Sequence, residues 1–269
     1  PQVFQMPAGA CNRIDFKGFE IIIERQVKYG TNALFILGSA GETSLLTLEE
    51  KKAIVRETVK MTKGIIPTFF NASINSTDET VEFAKYCENE GVEGLIFTVP
   101  SYVLLTQSAV KAHFSACFSA TTLPVGIYNN PSRVGVNVEP ETIKTLSDLH
   151  DNFVVMKEAM PNNQQLIREK MCCGDKLNIL CCDFPSYSIL FTVLGMGGNG
   201  TANIGGNIIP EAASLYARPW SSVEIMEECR ELFFKYYPLL EALYWFSNPI
   251  CIKAAYNLLG LPSGHLRKP

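Results

Sequence analysis

Phe153-Val-Val-Met-Lys157-Glu-Ala159 is the stretch that decides the fold. Its apolar first half predicts a buried strand of a parallel sheet that is covered on both faces. Lys157 closes this strand at its C-terminal end. Burial disfavours the charged form of a lysine, and the neutral amine is the nucleophile that Schiff-base formation with a ketone requires. Taken alone, the stretch fits a lysine that reaches solvent somewhat better, and the rest of the chain reverses that preference.

Similar apolar strands alternate with amphipathic helices along the whole chain. Eight strand–helix repeats, with no linker rich in Pro, Gly or Ser, predict one α/β domain, a (β/α)₈ TIM barrel. We expect the barrel core over residues 1–209, and the last barrel helix with a C-terminal helical extension of the same domain over residues 210–269. Strands are predicted near residues 2–6, 33–37, 65–71, 94–99, 124–128, 153–157, 177–182 and 198–203.

A doubly wound parallel sheet is the alternative architecture. Such a sheet normally carries a G-x-G-x-x-G phosphate-binding turn after an early strand. The turn Gly38-Ser-Ala-Gly-Glu42 lacks that spacing, so the barrel is favoured.

The composition limits the classes of function. Of the 269 residues, 47% are hydrophobic and 19% are charged, which builds a sizeable core and excludes a disordered chain. The net charge of −4 and the lack of a basic block argue against a nucleic-acid surface. No run is long enough to span a membrane, and no basic leader segment opens the chain. The missing initiator Met leads us to expect that some N-terminal residues are absent.

Nine cysteines are present without a CxxC spacing. The spacing supports neither a metal site nor a redox motif. We expect reduced, mostly buried thiols in a cytoplasmic protein.

Polar groups stand where the predicted strands end, and a (β/α)₈ barrel builds its active site at these ends. Backbone N–H groups of the Gly38–Glu42 turn can hold a carboxylate while Lys157 attacks the neighbouring ketone. Tyr128 can move protons, given a relay through the hydroxyls of Ser39 and Tyr102. The planar guanidinium of Arg133 suits the carboxylate of a second substrate. Each of these side chains, taken alone, has a simpler structural explanation. Because all of them are predicted at the same end of the barrel, an active site is favoured.

Four segments together resemble the dihydrodipicolinate synthase and N-acetylneuraminate lyase family of pyruvate-dependent class I aldolases. They are Gly38–Glu42, Tyr128–Gly135, Met156–Ala159 and Asn248–Lys253, and the similarity runs in order over almost the whole chain. The resemblance implies that Lys157 forms a Schiff base with pyruvate, so that neither a separate cofactor nor a metal is needed. It also implies that Tyr128 is the general acid and base, and that Ser39 and Tyr102 complete the relay.

The resemblance also implies partners and a substrate. In this family the tyrosine at the position of Tyr102 comes from a neighbouring subunit, which implies a homo-oligomer, a dimer or a tetramer. Pro131-Ser-Arg133 resembles the synthase branch, in which Arg133 would meet the carboxylate of aspartate 4-semialdehyde in lysine and diaminopimelate biosynthesis. The expected partners are therefore pyruvate and an aldehyde acceptor, without nucleic acid or membrane.

Several pocket positions depart from the synthase pattern. Ala40 stands where the turn usually carries a second hydroxyl, which leaves backbone N–H groups of Ala40 and Gly41 to hold pyruvate. Cys182 replaces a glycine at the end of the seventh strand, and Ala202 replaces a bulkier aliphatic residue. These departures permit a lyase that cleaves a 2-keto-3-deoxy sugar acid with the same lysine and tyrosine. A non-catalytic homologue that binds a keto acid is the third hypothesis, and the complete relay argues against it.

Overall fold

The computed structural model describes residues 2–5, 14–183 and 187–268 of the chain. These residues form eight strands that follow one another in sequence order around a closed barrel. Parallel pairing joins the first strand to the second and the second to the third, and it runs unbroken from the fourth to the seventh. The strands are β1 (Gln2–Gln5), β2 (Ala33–Ile36), β3 (Thr68–Asn71), β4 (Gly94–Phe97), β5 (Val125–Asn129), β6 (Phe153–Glu158), β7 (Asn178–Cys182) and β8 (Gly200–Asn203). The predicted strand order is thereby confirmed.

Helices occupy the connections and continue after the last strand, which confirms the helical C-terminal extension. They are α1 (Phe16–Lys28), α2 (Leu48–Thr62), α3 (Thr77–Glu90), α4 (Gln107–Ser119), α5 (Pro131–Val134), α6 (Pro140–Leu149), α7 (Asn163–Cys173), α8 (Leu190–Gly195), α9 (Gly205–Ile208), α10 (Pro210–Tyr216), α11 (Val223–Ala242) and α12 (Ile250–Leu258). The domain boundary at residue 209 stays a prediction. No helix within the described ranges combines the length and the apolar character needed to cross a membrane.

Local sequence signals fix some helix starts and miss others. Thr47 followed by Glu50 at the third position is the sequence pattern of a capping box, and it begins α2: the Thr47 hydroxyl accepts from the Glu50 N–H at 3.2 Å and the Glu50 carboxylate accepts from the Thr47 N–H at 2.9 Å. The helical pattern around residues 186–194 predicts a longer helix than α8, which begins only at Leu190, because Tyr187 adopts a left-handed φ of 53° that an α-helix does not contain. Residues 184–186 lie outside the described residues.

The chain divides into two compact units. The first comprises Pro1–Phe70 and Ala202–Pro269. Within it, the Arg25 guanidinium donates to the carbonyl oxygens of Asn207 and Ile208 at 2.7 and 2.9 Å. The Tyr256 hydroxyl donates to Asn207 Oδ1 at 2.8 Å. These bonds tie α1 and α12 to α9 and satisfy carbonyls at the end of a short helix.

The second unit is Asn71–Thr201 and contains β4 to β7 with the helices between them. Its core includes Phe118, whose ring stacks on the Phe153 ring at 5.0 Å between centroids. β5 lies close to β6 at Gly126, since a Cβ there would meet the Val155 carbonyl oxygen at 2.8 Å. Only glycine fits such a close backbone approach without displacing the neighbouring strand. The residues that follow Gly126 on β5 are therefore held directly beside β6.

The cysteines follow the prediction of buried thiols over the described ranges. Cys172 is exposed there, and Cys173 and Cys251 are half-buried. The buried thiols are Cys87, Cys117, Cys181, Cys182 and Cys229. Cys11 lies outside the described residues.

Candidate functional site

The second unit brings the two principal predicted residues together. Lys157 lies near the end of β6 with its side chain buried, 2% of the residue being exposed. Its Cα partner on β5 is Tyr128. The Lys157 Nζ atom lies 4.0 Å from the centroid of the Tyr128 ring. The amine and the aromatic ring therefore form one buried pair at the C-terminal ends of adjacent strands.

The hydroxyl of Tyr128 is held by two neighbours. Asn130 Nδ2 donates to this hydroxyl at 2.8 Å, and the Cys182 Sγ atom lies 3.5 Å from it. Burial first, and the Cys182 thiol second, raise the pKa of Tyr128 well above its ordinary value, whereas the bond from Asn130 lowers that pKa. The phenol is therefore neutral at ordinary pH and carries a proton that it can give to a reacting group.

Cys182 lies at the end of β7, as the sequence predicts, and it is buried. Besides contacting Tyr128, its thiol donates to Asp183 Oδ1 at 3.5 Å. The Cys182 thiol, at a position where the family usually has glycine, therefore contacts the Tyr128 hydroxyl.

Asn130 is a residue whose contact the sequence does not indicate. The order Asn129-Asn130-Pro131 is first of all a turn signal. The turn does form, since α5 begins at Pro131. The Asn130 side chain nevertheless points back to Tyr128, two residues before it. The sequence signal that could have predicted this contact is an asparagine two residues after a tyrosine at the end of a strand.

Glu158 and Glu169 are two buried carboxyl groups, one at the end of β6, the strand that carries Lys157, and one next to it in space. Glu158, the residue after Lys157, is fully buried and accepts from Asn129 Nδ2 at 3.1 and 3.0 Å and from the Met160 N–H at 2.5 Å. Burial, and then the charge of Glu169, raise the pKa of Glu158 well above its ordinary value. Burial likewise raises the pKa of Glu169 to about 7. Both carboxyl groups therefore keep their protons to a higher pH than exposed carboxyl groups do. Gln165 of α7 donates to both of them, which links the ends of β5 and β6 to α7.

Arg133 and Tyr102 lie at the surface of the second unit. Arg133 lies in α5 with its side chain exposed to solvent. Tyr102 is 96% exposed and adopts a positive φ of 73°, which is rare for a residue with a side chain. Val103 and Leu104, which follow it, are also exposed. The predicted roles of Arg133 and Tyr102 therefore need a bound substrate and a partner, respectively.

The first unit contains the remaining predicted residues. Ser39-Ala-Gly41 forms a 3₁₀ turn after β2, in which the Gly41 N–H donates to the Gly38 carbonyl at 3.0 Å. The N–H of Gly41 is thus used inside the turn, which favours Ala40 over Gly41 as a donor to a substrate carboxylate. Ala202 is buried in β8. The predicted substrate contacts of these residues stay predictions.

The side chains that commonly bind metal ions are those of His, Cys, Asp and Glu. Within residues 14–183 and 187–268, no three His, Cys, Asp or Glu side chains lie close enough to hold a metal ion. The chemistry proposed below uses protein groups and the substrates alone.

Comparisons with known proteins identify the family to which the chain is similar. A model of the Dihydrodipicolinate synthetase family matches residues 5–269. A 4-hydroxy-tetrahydrodipicolinate synthase of Methanococcus maripaludis is 31% identical over 258 residues, which are 96% of this chain and 87% of that protein.

Solved structures give the same result. The 4-hydroxy-tetrahydrodipicolinate synthase from Methylacidiphilum fumariolicum SolV matches with a TM-score of 0.94 and 29% identity, covering 100% of this chain and 88% of that one. A chloride-inhibited dihydrodipicolinate synthase from Acinetobacter baumannii, complexed with pyruvate, matches with a TM-score of 0.92 and 25% identity over 100% and 91% of the two chains. These likenesses confirm the predicted fold and the predicted resemblance.

Proposed function

Because the chain belongs to the dihydrodipicolinate synthetase family, we propose that it is a 4-hydroxy-tetrahydrodipicolinate synthase. It would condense pyruvate with L-aspartate 4-semialdehyde through a Schiff base on Lys157. The observation that carries this proposal is the buried pair of Lys157 and Tyr128, with the Nζ atom 4.0 Å from the ring centroid. The pyruvate complex of the Acinetobacter protein supports the choice of the keto acid.

Lys157 supplies the nucleophile. Its amine attacks the ketone carbon of pyruvate and forms a carbinolamine. Loss of water from that intermediate leaves the imine.

Tyr128 moves the protons. The neutral phenol can protonate the departing hydroxyl, and the resulting phenolate can accept a proton from the methyl group to give the enamine. Asn130 favours this exchange, because an amide N–H that points at the oxygen stabilises the phenolate more than the phenol. The enamine carbon then attacks the aldehyde carbon of the second substrate and forms the new carbon–carbon bond, while the aldehyde oxygen takes up the proton that Tyr128 accepted from the methyl group. The amino group of the semialdehyde then attacks the imine carbon, which closes the ring and releases the Lys157 amine.

The other predicted residues keep the roles that the family resemblance implies. Ser39 would extend the relay, and the backbone of the Ser39–Gly41 turn would hold the pyruvate carboxylate. Arg133, exposed and close in sequence to Tyr128, would meet the carboxylate of the semialdehyde.

The exposed Tyr102 supports an oligomer. A tyrosine with 96% of its surface in water and a left-handed backbone has a strained conformation that burial against a partner would offset. A second copy of the chain would cover it together with Val103 and Leu104. Light scattering tests this proposal, which predicts a dimer or a tetramer in solution and is contradicted by a monomer at assay concentrations.

The experiment that tests the function is a two-substrate assay. Purified protein is incubated with pyruvate and L-aspartate 4-semialdehyde, and the loss of both substrates is followed together with the formation of the cyclic product. The proposal predicts that both are consumed in equal amounts. A protein that traps pyruvate on borohydride treatment but leaves the semialdehyde untouched would instead be an aldolase with another acceptor, and 2-keto-3-deoxy sugar acids would be assayed next.

A further inference from the structure

The segment Asn248–Lys253 has no part in the chemistry proposed above, yet two of its side chains contact the turn at residues 39–42. Both contacts lie within the first unit. Lys253, in the first turn of α12, is 2% exposed, and its Nζ atom lies 2.5 Å from Glu42 Oε2. The same amine donates to the His265 carbonyl oxygen at 3.0 Å. We call this ion pair the Lys253–Glu42 pair.

Glu42 is the residue that ends the turn. It adopts a left-handed φ of 52°, and its N–H donates to the Ser39 carbonyl oxygen at 3.1 Å. Its second carboxylate oxygen accepts from the Arg267 N–H at 2.8 Å. A left-handed glutamate costs backbone energy, so it persists only where the surroundings hold it. The Lys253–Glu42 pair and the hydrogen bond from the Arg267 N–H stabilise Glu42 in this conformation.

Ser39 is held from the same side. Asn248, two residues before α12, donates through Nδ2 to Ser39 Oγ at 3.2 Å. Because the amide is the donor, the serine oxygen is the acceptor in this bond. The segment Asn248–Lys253 thus contacts Ser39, which begins the turn, and Glu42, which follows it.

A purely structural ion pair is the simpler explanation of Lys253 and Glu42. A buried ion pair is weak evidence for stability, because desolvation of the two charges offsets most of their attraction. Two apolar side chains of similar size would attach α12 to the first unit equally well. They could not hold a carboxylate oxygen against the Arg267 N–H, and they could not fix the left-handed residue that follows Gly41.

We propose that the Lys253–Glu42 pair positions the Ser39–Gly41 turn in the conformation that binds the pyruvate carboxylate. Lys253 and Glu42 are positioning residues in this proposal, because they contact the turn rather than the substrate. The proposal rests on the proposed function, in which the turn holds that carboxylate. It assigns a role in substrate binding to α12 and to the C-terminal segment at residues 265–267.

The test is a titration of the pyruvate adduct. Protein is mixed with increasing pyruvate, reduced with borohydride and analysed by intact mass, which gives the pyruvate concentration for half-maximal adduct and the maximal adduct separately. Glu42→Gln is the main variant. Glutamine keeps the size of the side chain but has one oxygen, so its amide group must face either Lys253 or the Arg267 N–H, and both are donors.

Glu42→Gln and Lys253→Met are expected to raise the half-maximal pyruvate concentration by about 10- to 100-fold, as a misplaced binding group does. The maximal adduct should stay at the wild-type level, since Lys157 is unchanged. Lys253→Arg, which keeps the charge and the donors, should recover part of the loss. Lys144→Met is the matched control, because it removes an exposed lysine paired with Asp148 and should titrate as the wild type does.

Three outcomes separate the alternatives. A half-maximal concentration that stays at the wild-type value, with a smaller maximal adduct, would mean that the variants only reduce the folded fraction and would overturn the proposal. If Lys253→Met does not fold, Glu42→Gln decides by the same criterion. A wild-type protein that forms no adduct at all would refute the proposed function, and this inference would fall with it.

Discussion

Replacing Glu169 by Gln should stabilise the protein at pH 8 and leave its stability at pH 5 nearly unchanged. Glu169 is 1% exposed and lies beside the fully buried Glu158. Burial raises the pKa of both carboxyl groups, that of Glu169 from 4.5 to about 7. The folded protein therefore keeps a proton on this pair that the unfolded chain has already released. Glutamine is neutral at every pH and removes this difference.

The two pKa values of Glu169 give the sign and the size of the effect. Between pH 4.5 and about 7 the folded state binds more protons than the unfolded state, so the free energy of unfolding falls as the pH rises. At about 1.4 kcal/mol for each unit of pKa shift, the cost above pH 7 is about 3 kcal/mol. With an unfolding entropy of about 2 cal/mol/K per residue, this corresponds to about 5 °C in Tm.

Calorimetric Tm values between pH 5 and pH 8 test this prediction. The Tm of Glu169→Gln minus that of the wild type should grow by about 5 °C over this range. Glu82→Gln, on the exposed side of α3, is the control and should show no such growth. A difference between Glu169→Gln and wild type that stays constant with pH would refute the raised pKa of Glu169.

Three further substitutions test the proposed roles in the second unit. Tyr128→Phe should still form the pyruvate adduct but turn over about two to four orders of magnitude more slowly, and near-normal turnover in the two-substrate assay would remove Tyr128 from proton transfer. Asn130→Asp puts an acceptor where Tyr128 now meets a donor, so turnover should fall by about tenfold or more; an unchanged rate would make the contact incidental. Arg133→Ala should raise the semialdehyde concentration for half-maximal rate by about 10- to 100-fold without changing the pyruvate titration, whereas an unchanged semialdehyde dependence would assign that carboxylate to another group.

The parts of the fold that depend on local pattern are predictable from the sequence. The apolar run before Lys157 predicts β6, and the structure places that strand at Phe153–Glu158. The Thr47 and Glu50 pair predicts the start of α2 at the residue where it begins. In each case a few neighbouring residues determine the result, because the period of the apolar positions and the cap geometry are local properties.

The polar contacts around the site depend on residues far apart in sequence. Glu158 is buried because Asn129 and Gln165 offer it donors, and these residues lie on β5 and α7. The contact of Lys253 with Glu42 joins residues more than 200 positions apart. Nothing in the sequence next to either residue indicates such a partner. The single-turn α5 and the 3₁₀ turn at Ser39–Gly41 are likewise too short to give a periodic pattern.

Intact-mass analysis after borohydride treatment with pyruvate, on the wild type and on Lys157→Ala, tests most directly whether Lys157 forms the Schiff base. The wild type should gain the mass of one reduced pyruvate per chain, and Lys157→Ala should gain none. Peptide mapping should place the added mass on Lys157. An adduct that persists in Lys157→Ala, or a wild type that forms none, would contradict the assignment of Lys157 as the Schiff-base lysine.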